Sequence, residues 1–430
     1  MSMLPRGTPF YALVWEGAIG AFYEIDSEFN ITLLGDVLNQ PGHRYGMLYG
    51  LADPTFPKDG PYPRHNDAGK LMALASFSNR SEPTAEETKL LRFLLDGPYR
   101  KLSDYEEIGN APHLNVGLDD PEFRNFAGIY SDAIFDAFYQ FARANMRQGL
   151  PLVIAGGCGL NCDWNSKWTE TGIFSEVFVP PVANDSGSAI GTAIDAQLHF
   201  TGNPKVEWDV YSGLPFQEQG SIDASKYDIY EPDFAQTADF LANGLILAWV
   251  SGKYEIGPRA LGNRSILAAP FRDITRTRLN DVKQREQFRP IAPACLRSDA
   301  KNLFGCNRDS PHMLYTFRVN TDALPAVTHV NRTARIQTVT PETNKALHDL
   351  LAAFKQRTGY GVLCNTSLNF TGKGFINNIV DLDAYATQHG LDGFVVEGRA
   401  YLMKSSNLYK KYQLSTSKPS RSASFQPSLV

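Results

Sequence analysis

The sequence has few of the features that mark secreted, membrane-spanning or metal-binding proteins. Its 430 residues contain five cysteines and eight histidines, without a His-x-x-x-His pair. An odd and scattered set of cysteines is not a disulfide framework, so reduced thiols and a cytoplasmic location are expected. The longest apolar runs are too short to span a membrane, and the N-terminus lacks the pattern of a signal peptide.

Positive charge is also in short supply. The 41 Lys and Arg residues are outnumbered by 46 Asp and Glu residues, which gives a formal net charge of −5. No general nucleic-acid-binding surface is therefore expected. Neither a Gly-x-Ser-x-Gly nor a Gly-x-x-x-x-Gly-Lys-Ser/Thr motif occurs, which disfavours the common serine hydrolases and P-loop nucleotide-binding proteins.

Hydrophobic periodicity predicts an α/β domain over residues 1–205. Two apolar segments separated by a glycine predict a hairpin at its start. The expected strands are 10–15, 20–25, 152–155 and 176–179, and the expected helices are 69–78, 85–97, 122–148, 161–169 and 186–199.

A second domain is predicted over residues 239–405, with the polar segment 206–238 interpreted as a linker. An apolar strand at 245–250 starts this domain, and residues 333–339 alternate as a strand does. Residues 406–430 are basic and rich in Ser and Pro, so a disordered tail is expected.

Gly156, Gly157 and Gly159 follow an apolar strand directly. Glycine lets the backbone approach a phosphate closely, and the helix expected to begin at Asn161 would supply amide donors. Alone, such a turn is a weak signal because glycine turns after strands are common. Asp185, which lies 24 residues after Asn161, is either a plain helix N-cap or a ligand for a metal or a magnesium nucleotide.

Basic side chains in the second domain lie beside glycines, prolines and strand ends rather than along a polar helix face. The planar fork of arginine suits phosphate oxygens. In a chain of net negative charge, such a set predicts a local anion site that would suit a triphosphate. The residues concerned are Arg259, Lys283, Arg285, Arg289 and Arg335.

Two polar residues end a buried strand near this predicted anion site. Asn365 and Ser367 are expected to donate or accept hydrogen bonds to a sugar, a phosphate or a carbamoyl group. His329 shortly precedes Arg335 and either lines the same cleft or is a satisfied strand histidine.

Six motifs contain most of these candidate residues: GGCGLN at 156–161, PPVANDSGSAIG at 180–191, GPRALGNRSIL at 257–267, REQFRPIAP at 285–293, PAVTHVNRTARIQTV at 325–339 and LCNTSLNFTGK at 363–373. Together they resemble the motifs of the O-carbamoyltransferase family of nodulation and antibiotic biosynthesis. The resemblance covers roughly residues 10–405. It implies an α/β and α+β architecture, with a partial Kae1-like domain of the sugar kinase/actin superfamily followed by a YrdC-like domain.

The resemblance also implies a two-step reaction. The YrdC-like domain would make carbamoyl adenylate from ATP and carbamoyl phosphate, and the Kae1-like domain would pass the carbamoyl group to a hydroxyl of a small acceptor. The adenylating site would be formed by Arg259, Lys283, Arg289, Arg335, Asn365 and Ser367. In the Kae1-like part, the nucleotide would face Gly156, Gly157, Gly159 and Asn161, and Asp185 would bind a metal.

At its N-terminus the chain departs from the pattern of the family. Members usually begin with a long additional lobe that includes a His-x-x-x-His pair, and Glu16 stands where the family has an aspartate. Glu16 is a candidate metal ligand. Mg²⁺ is expected with ATP, while Fe²⁺ is implied by the family although its histidine ligands are absent. For a working enzyme, the lobe is expected to come from another chain, or the start codon has been placed too late, and a homo-oligomer is left open as an assembly. The alternatives are a half-enzyme that has lost the transfer step and a nucleotide-binding regulatory protein.

Overall fold

In the computed structural model, the described residues are 7–58, 60, 62–64, 66–104 and 111–416. The chain is of mixed α/β type and divides into two compact units, Met1–Glu207 and Trp208–Val430. Each unit has its own sheet and its own core. Among the described residues, no helix is both long and apolar enough to cross a membrane.

The first unit is built on a five-stranded sheet in the order β3-β2-β1-β4-β5. β1 and β2 form the hairpin that the sequence predicts, with Phe10 opposite Ile25. β3 extends the hairpin in antiparallel fashion, whereas β4 and β5 are parallel to β1. The strands are β1 (Phe10–Trp15), β2 (Gly20–Ile25), β3 (Ile31–Asp36), β4 (Leu152–Ala155) and β5 (Val177–Phe178).

Helices of the first unit begin where the sequence offers a cap. Thr84 and Glu87 form a reciprocal capping box at α3, and Asp120 caps α4 directly before a proline. The helix α1 was not expected from the sequence. The helices are α1 (Pro41–Ala52), α2 (Asp67–Ala75), α3 (Ala85–Leu95), α4 (Pro121–Asn145), α5 (Cys162–Glu170) and α6 (Ser188–Thr201).

Aromatic side chains fill the core of the first unit. Trp15 at the end of β1 stacks on Trp164 of α5, with ring centroids 4.5 Å apart, and also contacts Phe138 of α4 at 4.6 Å. Both tryptophans are fully buried. Because such large rings each bury a wide apolar area, this contact fixes the end of β1 against two helices.

An eight-stranded sheet in the order β12-β9-β13-β8-β7-β14-β15-β6 organises the second unit, beside a two-stranded ladder of β10 and β11. The strands are β6 (Tyr227–Tyr230), β7 (Leu247–Val250), β8 (Arg264–Ala268), β9 (Ala292–Leu296), β10 (Phe317–Arg318), β11 (Thr333–Ala334), β12 (Gln337–Val339), β13 (Val362–Ser367), β14 (Gly393–Val396) and β15 (Arg399–Met403). The helices are α7 (Phe234–Ala242), α8 (Asp273–Val282), α9 (Arg297–Phe304), α10 (Lys345–Thr358), α11 (Ile379–His389) and α12 (Asn407–Thr416).

Both faces of the large sheet are covered by apolar cores. Successive residues along β13 alternate between them: Val362 and Cys364 belong to one core, and Leu363 belongs to the other. Such alternation follows from the two-residue period of a strand. The central strands are therefore buried on both faces, and polar groups gather where they end.

Three segments of the second unit differ from the sequence expectation. Residues 206–238 contain β6 and the start of α7, and the polar pattern read as a linker includes an edge strand that pairs with β15. The expected strand at 333–339 is broken, because β11 pairs with β10 while β12 pairs with β9. The expected tail begins as the helix α12, which buries Tyr409, and residues 417–430 lie outside the described residues.

Candidate active site

Four cationic side chains of the second unit lie close to one another. Lys283 caps the C-terminus of α8, Arg285 and Arg289 lie in the turn that follows, and Arg335 lies at the break between β11 and β12. Burial and then the charges of Arg285 and Arg289 lower the pKa of Lys283, and burial and then the charges of Arg289 and Arg335 lower the pKa of Arg285. We call these four residues the cationic cluster.

Lys283 of the cationic cluster forms hydrogen bonds at the end of β13. Its Nζ donates to the backbone oxygen of Ser367 at 2.7 Å and to Oδ1 and O of Asn369 at 2.8 and 3.1 Å. Ser367 Oγ donates to the same Asn369 Oδ1 at 2.6 Å. Burial first, and then the neighbouring arginines, lower the pKa of Lys283 to about 7. The amine therefore exchanges protons near neutral pH.

The guanidinium of Arg285 is oriented by a hydrogen bond to Asn280. Its Nε donates to Asn280 Oδ1 at 2.8 Å, and burial followed by repulsion from Arg289 and Arg335 lowers the pKa of Arg285 to about 9. The Glu286 carboxylate opposes this shift and lies 3.8 Å from Arg289. Three arginines beside this carboxylate leave net positive charge whether or not Lys283 is protonated, which favours a ligand with several negative charges.

A buried carboxylate organises the loop that carries Arg259. Glu255 Oε1 accepts hydrogen bonds from the backbone N–H groups of Leu261 and Asn263, each at 2.7 Å, and Oε2 accepts from the Arg264 N–H at 3.1 Å. Desolvation raises the pKa of Glu255, and these amide bonds oppose the shift. The half-buried Arg259 thus projects from a loop that is fixed from its inner side.

Asn365 joins this loop to the sheet. It is 2% exposed, and its Nδ2 donates to Gln337 Oε1 at 2.9 Å and to the Ala260 oxygen at 3.3 Å, while Gln337 Nε2 donates to the Leu261 oxygen at 2.6 Å. Within the described part of the chain, Asn365 Oδ1 and Arg335 Nε are buried without a hydrogen-bond partner. Buried polar atoms of this kind are typical of a ligand site.

The structure therefore gathers the predicted residues of the second unit into one region. Lys283, Arg289 and Arg335 belong to the cationic cluster, Ser367 touches Lys283, and Asn365 contacts the loop that carries Arg259. Arg285, Asn369 and Gln337 are missing from the site set that the resemblance implies. The signal for Arg285 was present in the sequence, since it lies in the same turn as Lys283 and Arg289, whereas the Gln337 contacts depend on long-range pairing.

In the first unit, close packing accounts for the glycines that follow β4. Gly156 has φ +104°, and a Cβ there would lie 2.2 Å from the Trp15 oxygen. A Cβ on Gly159 would lie 3.2 Å from the Ala183 Cβ. Gly157 donates its N–H to the Glu16 carboxylate. That Gly156, Gly157 and Gly159 face a nucleotide stays a prediction.

The polar residues of the first unit have distinct local roles. Asn161 caps α5, since its Oδ1 accepts from the N–H groups of Asp163 and Trp164, both at 3.2 Å. Asp185 is exposed and starts a 3₁₀ turn, and no side-chain cap is present at α6, so the N-cap interpretation of Asp185 is wrong. Its role as a metal ligand stays a prediction.

The donor set for a metal is sparse in the described parts of the chain. They hold no group of three or more His, Cys, Asp and Glu side chains placed to bind a metal ion. Both oxygens of Glu16 already accept hydrogen bonds, from Gly17 N–H at 2.8 Å and from Gly157 N–H. The described residues alone therefore do not complete a metal centre, and the role of Glu16 as a metal ligand stays a prediction.

Comparison with known proteins finds carbamoyltransferase families and carbamoyltransferases among the similar sequences. The family described as carbamoyltransferase C-terminus matches residues 238–404, and that described as carbamoyltransferase N-terminus matches residues 139–194. The 3′-hydroxymethylcephem-O-carbamoyltransferase of Amycolatopsis lactamdurans is 48% identical over 89% of this chain and 74% of its own length. The protein of the same name from Streptomyces clavuligerus is 47% identical over 92% and 77%. Nodulation protein U of Rhizobium tropici is 36% identical over 86% and 68%.

The protein is therefore a transferase with a two-unit α/β fold. The chain belongs to the carbamoyltransferase family, as its motifs indicate.

Proposed function

We propose that this carbamoyltransferase uses ATP to activate carbamoyl phosphate as carbamoyl adenylate, and that it then carbamoylates a hydroxyl of a small molecule. The cationic cluster of Lys283, Arg285, Arg289 and Arg335 carries the first half of the proposal. Activation is assigned to the second unit as a YrdC-like domain, and transfer to the first unit as a partial Kae1-like domain.

The proposed activation releases two anions. Water hydrolyses carbamoyl phosphate to carbamate and inorganic phosphate, and a carbamate oxygen then attacks the α-phosphorus of ATP as the bond to pyrophosphate breaks. Negative charge grows on the departing pyrophosphate, and the arginines of the cationic cluster are suited to stabilise it. Lys283, with its pKa near 7, is placed to hold or release one proton at the end of β13.

The proposed transfer uses a simpler exchange. The acceptor oxygen attacks the carbamoyl carbon, the bond from that carbon to the adenylate oxygen breaks, and AMP leaves. Two relatives bear the name 3′-hydroxymethylcephem-O-carbamoyltransferase, so a hydroxymethyl group on a compact ring system is the acceptor class we propose.

Pyrophosphate release tests the activation step. In the presence of ATP and carbamoyl phosphate we expect release by the wild type and at least a ~100-fold loss in Arg259→Ala and Lys283→Ala, because charge stabilisation of this kind is worth several kcal/mol. Arg399→Ala is the matched control, since Arg399 is 51% exposed on β15. Unchanged release in both site variants would contradict the site assignment, and release without any acceptor product would identify a half-enzyme.

A further inference from the structure

Two buried amide side chains of the second unit meet across the strand β9. Gln337 begins β12 and Asn365 lies on β13, and β9 runs between these two strands. Gln337 is paired with Ala294 and Asn365 with Ala292, and these alanines lie on the same face of β9 because they are two residues apart. Their small side chains leave room for the amides, and Gln337 and Asn365 are each 2% exposed.

A backbone oxygen decides which way the Gln337 amide is turned. The Leu261 oxygen accepts a hydrogen bond from Gln337 Nε2 at 2.6 Å and another from the Tyr211 hydroxyl at 2.8 Å. Because a carbonyl oxygen only accepts, the nitrogen of the Gln337 amide lies on this side, and its Oε1 is left to face Asn365.

The orientation of the Asn365 amide follows from two acceptors. Its Nδ2 donates to Gln337 Oε1 at 2.9 Å and to the Ala260 oxygen at 3.3 Å, so both amide hydrogens are used. Asn365 Oδ1 lies on the other side of the amide, buried and without a hydrogen-bond partner among the residues that the structure describes. Such an acceptor loses its hydrogen bonds to water on folding, and a ligand with an N–H group would restore one.

The cationic cluster supplies a complementary group. Nε of Arg335, two residues before Gln337, is a buried donor that likewise has no hydrogen-bond partner in the described part of the chain. A donor and an acceptor together suit carbamate, because its oxygens accept hydrogen bonds and its N–H2 group donates them. Acetate has the same shape, but its methyl group cannot donate to Asn365 Oδ1.

We propose that Asn365 Oδ1 accepts a hydrogen bond from the N–H2 group of carbamate, and that Gln337 is the positioning residue that keeps this oxygen turned toward it. Carbamate is thereby selected over carboxylates of the same shape that carry a methyl group. This recognition rests on the activation step proposed above, because carbamate is the group that the step joins to AMP. Sites built to bond a polar hydrogen reject analogues that lack it far more strongly than an apolar pocket rejects a missing methylene.

Two phosphonates test this recognition without any reaction. Phosphonoacetamide and acetonylphosphonate differ only in that the amide N–H2 group of the first is a methyl group in the second, and neither is hydrolysed as an acyl phosphate is. Isothermal titration calorimetry on the full-length chain measures both dissociation constants. We expect the wild type to bind phosphonoacetamide at least ~10-fold more tightly, because only this ligand donates to the Asn365 oxygen.

Gln337→Met removes the acceptor of Asn365 Nδ2 while it keeps a similar side-chain volume. The Asn365 amide can then turn either way, so the preference for phosphonoacetamide should fall below ~3-fold. Asn365→Leu removes the acceptor oxygen itself and should lose the preference as well. The ratio of the two dissociation constants does not depend on the fraction of the protein that is folded, because both ligands bind the same folded molecules.

Asn344→Ser is the matched control. Asn344 donates to the same Leu261 oxygen at 3.5 Å, and its Oδ1 accepts the N–H of Leu347 as the N-cap of α10. Serine keeps the cap but loses the amide donor, so the preference for phosphonoacetamide should equal that of the wild type.

The same selection should appear in the reaction. With acetyl phosphate in place of carbamoyl phosphate, pyrophosphate release by the wild type should be at least ~100-fold slower, and Gln337→Met should reduce this factor at least ~10-fold. A residue needed only for folding would slow both reactions equally and leave the factor unchanged.

Equal binding of the two phosphonates by the wild type, as expected if water alone fills the place beside Asn365 Oδ1, would overturn the proposed recognition. Absence of binding of both, a preference that persists in Gln337→Met, or a preference that is lost in Asn344→Ser would overturn it too. If the wild type releases no pyrophosphate but prefers phosphonoacetamide in a way that depends on Gln337, the activation proposal falls and the recognition of the N–H2 group stands.

Discussion

Neutralising Lys283 should change how the stability of the protein depends on pH. Lysine ordinarily has a pKa near 10.5, whereas burial and the charges of Arg285 and Arg289 lower the pKa of Lys283 to about 7. Between these values the unfolded chain keeps a proton on Lys283 that the folded chain has lost. Stability therefore rises with pH through this window, and below about pH 7 the cost of the buried charge is felt in full.

The magnitude follows from this pKa difference. Each pH unit within the window is worth up to ~1.4 kcal/mol, so from pH 6.5 to 8.5 the free energy of unfolding of the wild type should rise by ~2 kcal/mol more than that of Lys283→Met. Urea unfolding of both proteins at the two pH values measures this difference. Cysteines and tyrosines whose pKa is raised by burial, such as Cys364 and Tyr385, do not titrate in this range in either protein.

Three comparisons sharpen the experiment. Lys283→Arg keeps a charge that does not titrate and should show the slope of Lys283→Met. Lys345→Met removes a lysine that is 76% exposed and should follow the wild type. At pH 6.5, added pyrophosphate should stabilise the wild type, because an anion bound at the cationic cluster favours the protonated amine. The rise in the free energy of unfolding of the wild type between pH 6.5 and 8.5 should then be smaller. If the free energy of unfolding changed equally with pH in the wild type and in Lys283→Met, the lowered pKa of Lys283 would be refuted.

Three substitutions test the loop that follows β4 and the loop that carries Arg259. Gly156→Ala should cost at least ~3 kcal/mol in thermal unfolding, because its Cβ would lie 2.2 Å from a backbone oxygen at φ +104°. Glu255→Ala should destabilise the second unit by about 3 kcal/mol or more and reduce pyrophosphate release, because three buried amides lose their acceptor. Asn161→Ala should cost ~1 kcal/mol as a lost helix cap, and a cost near zero would contradict that role.

Local patterns in the sequence were sufficient for the elements that flank the sites. The hairpin of β1 and β2 and the strand β4 lie where apolar periodicity and glycines predict them, since these signals act over a few residues. The break at Arg335 was not predictable, because β11 pairs with the neighbouring β10 whereas β12 pairs with β9, which lies much earlier in the chain. The depressed pKa of Arg285 likewise depends on Arg335, a neighbour created by the fold.

The two units use the same device to shape their glycine-rich loops. In the second unit Glu255 accepts three amides of the loop that presents Arg259, and in the first unit Glu16 accepts the amides of Gly17 and Gly157. The two oxygens of one carboxylate accept hydrogen bonds from several backbone N–H groups at once. One small side chain can therefore fix a tightly packed loop. Glu16 therefore has a structural function whether or not it binds a metal. Glu16→Gln, which loses one acceptor oxygen, should loosen the contact between Gly17 and Gly157 and slow transfer while pyrophosphate release continues.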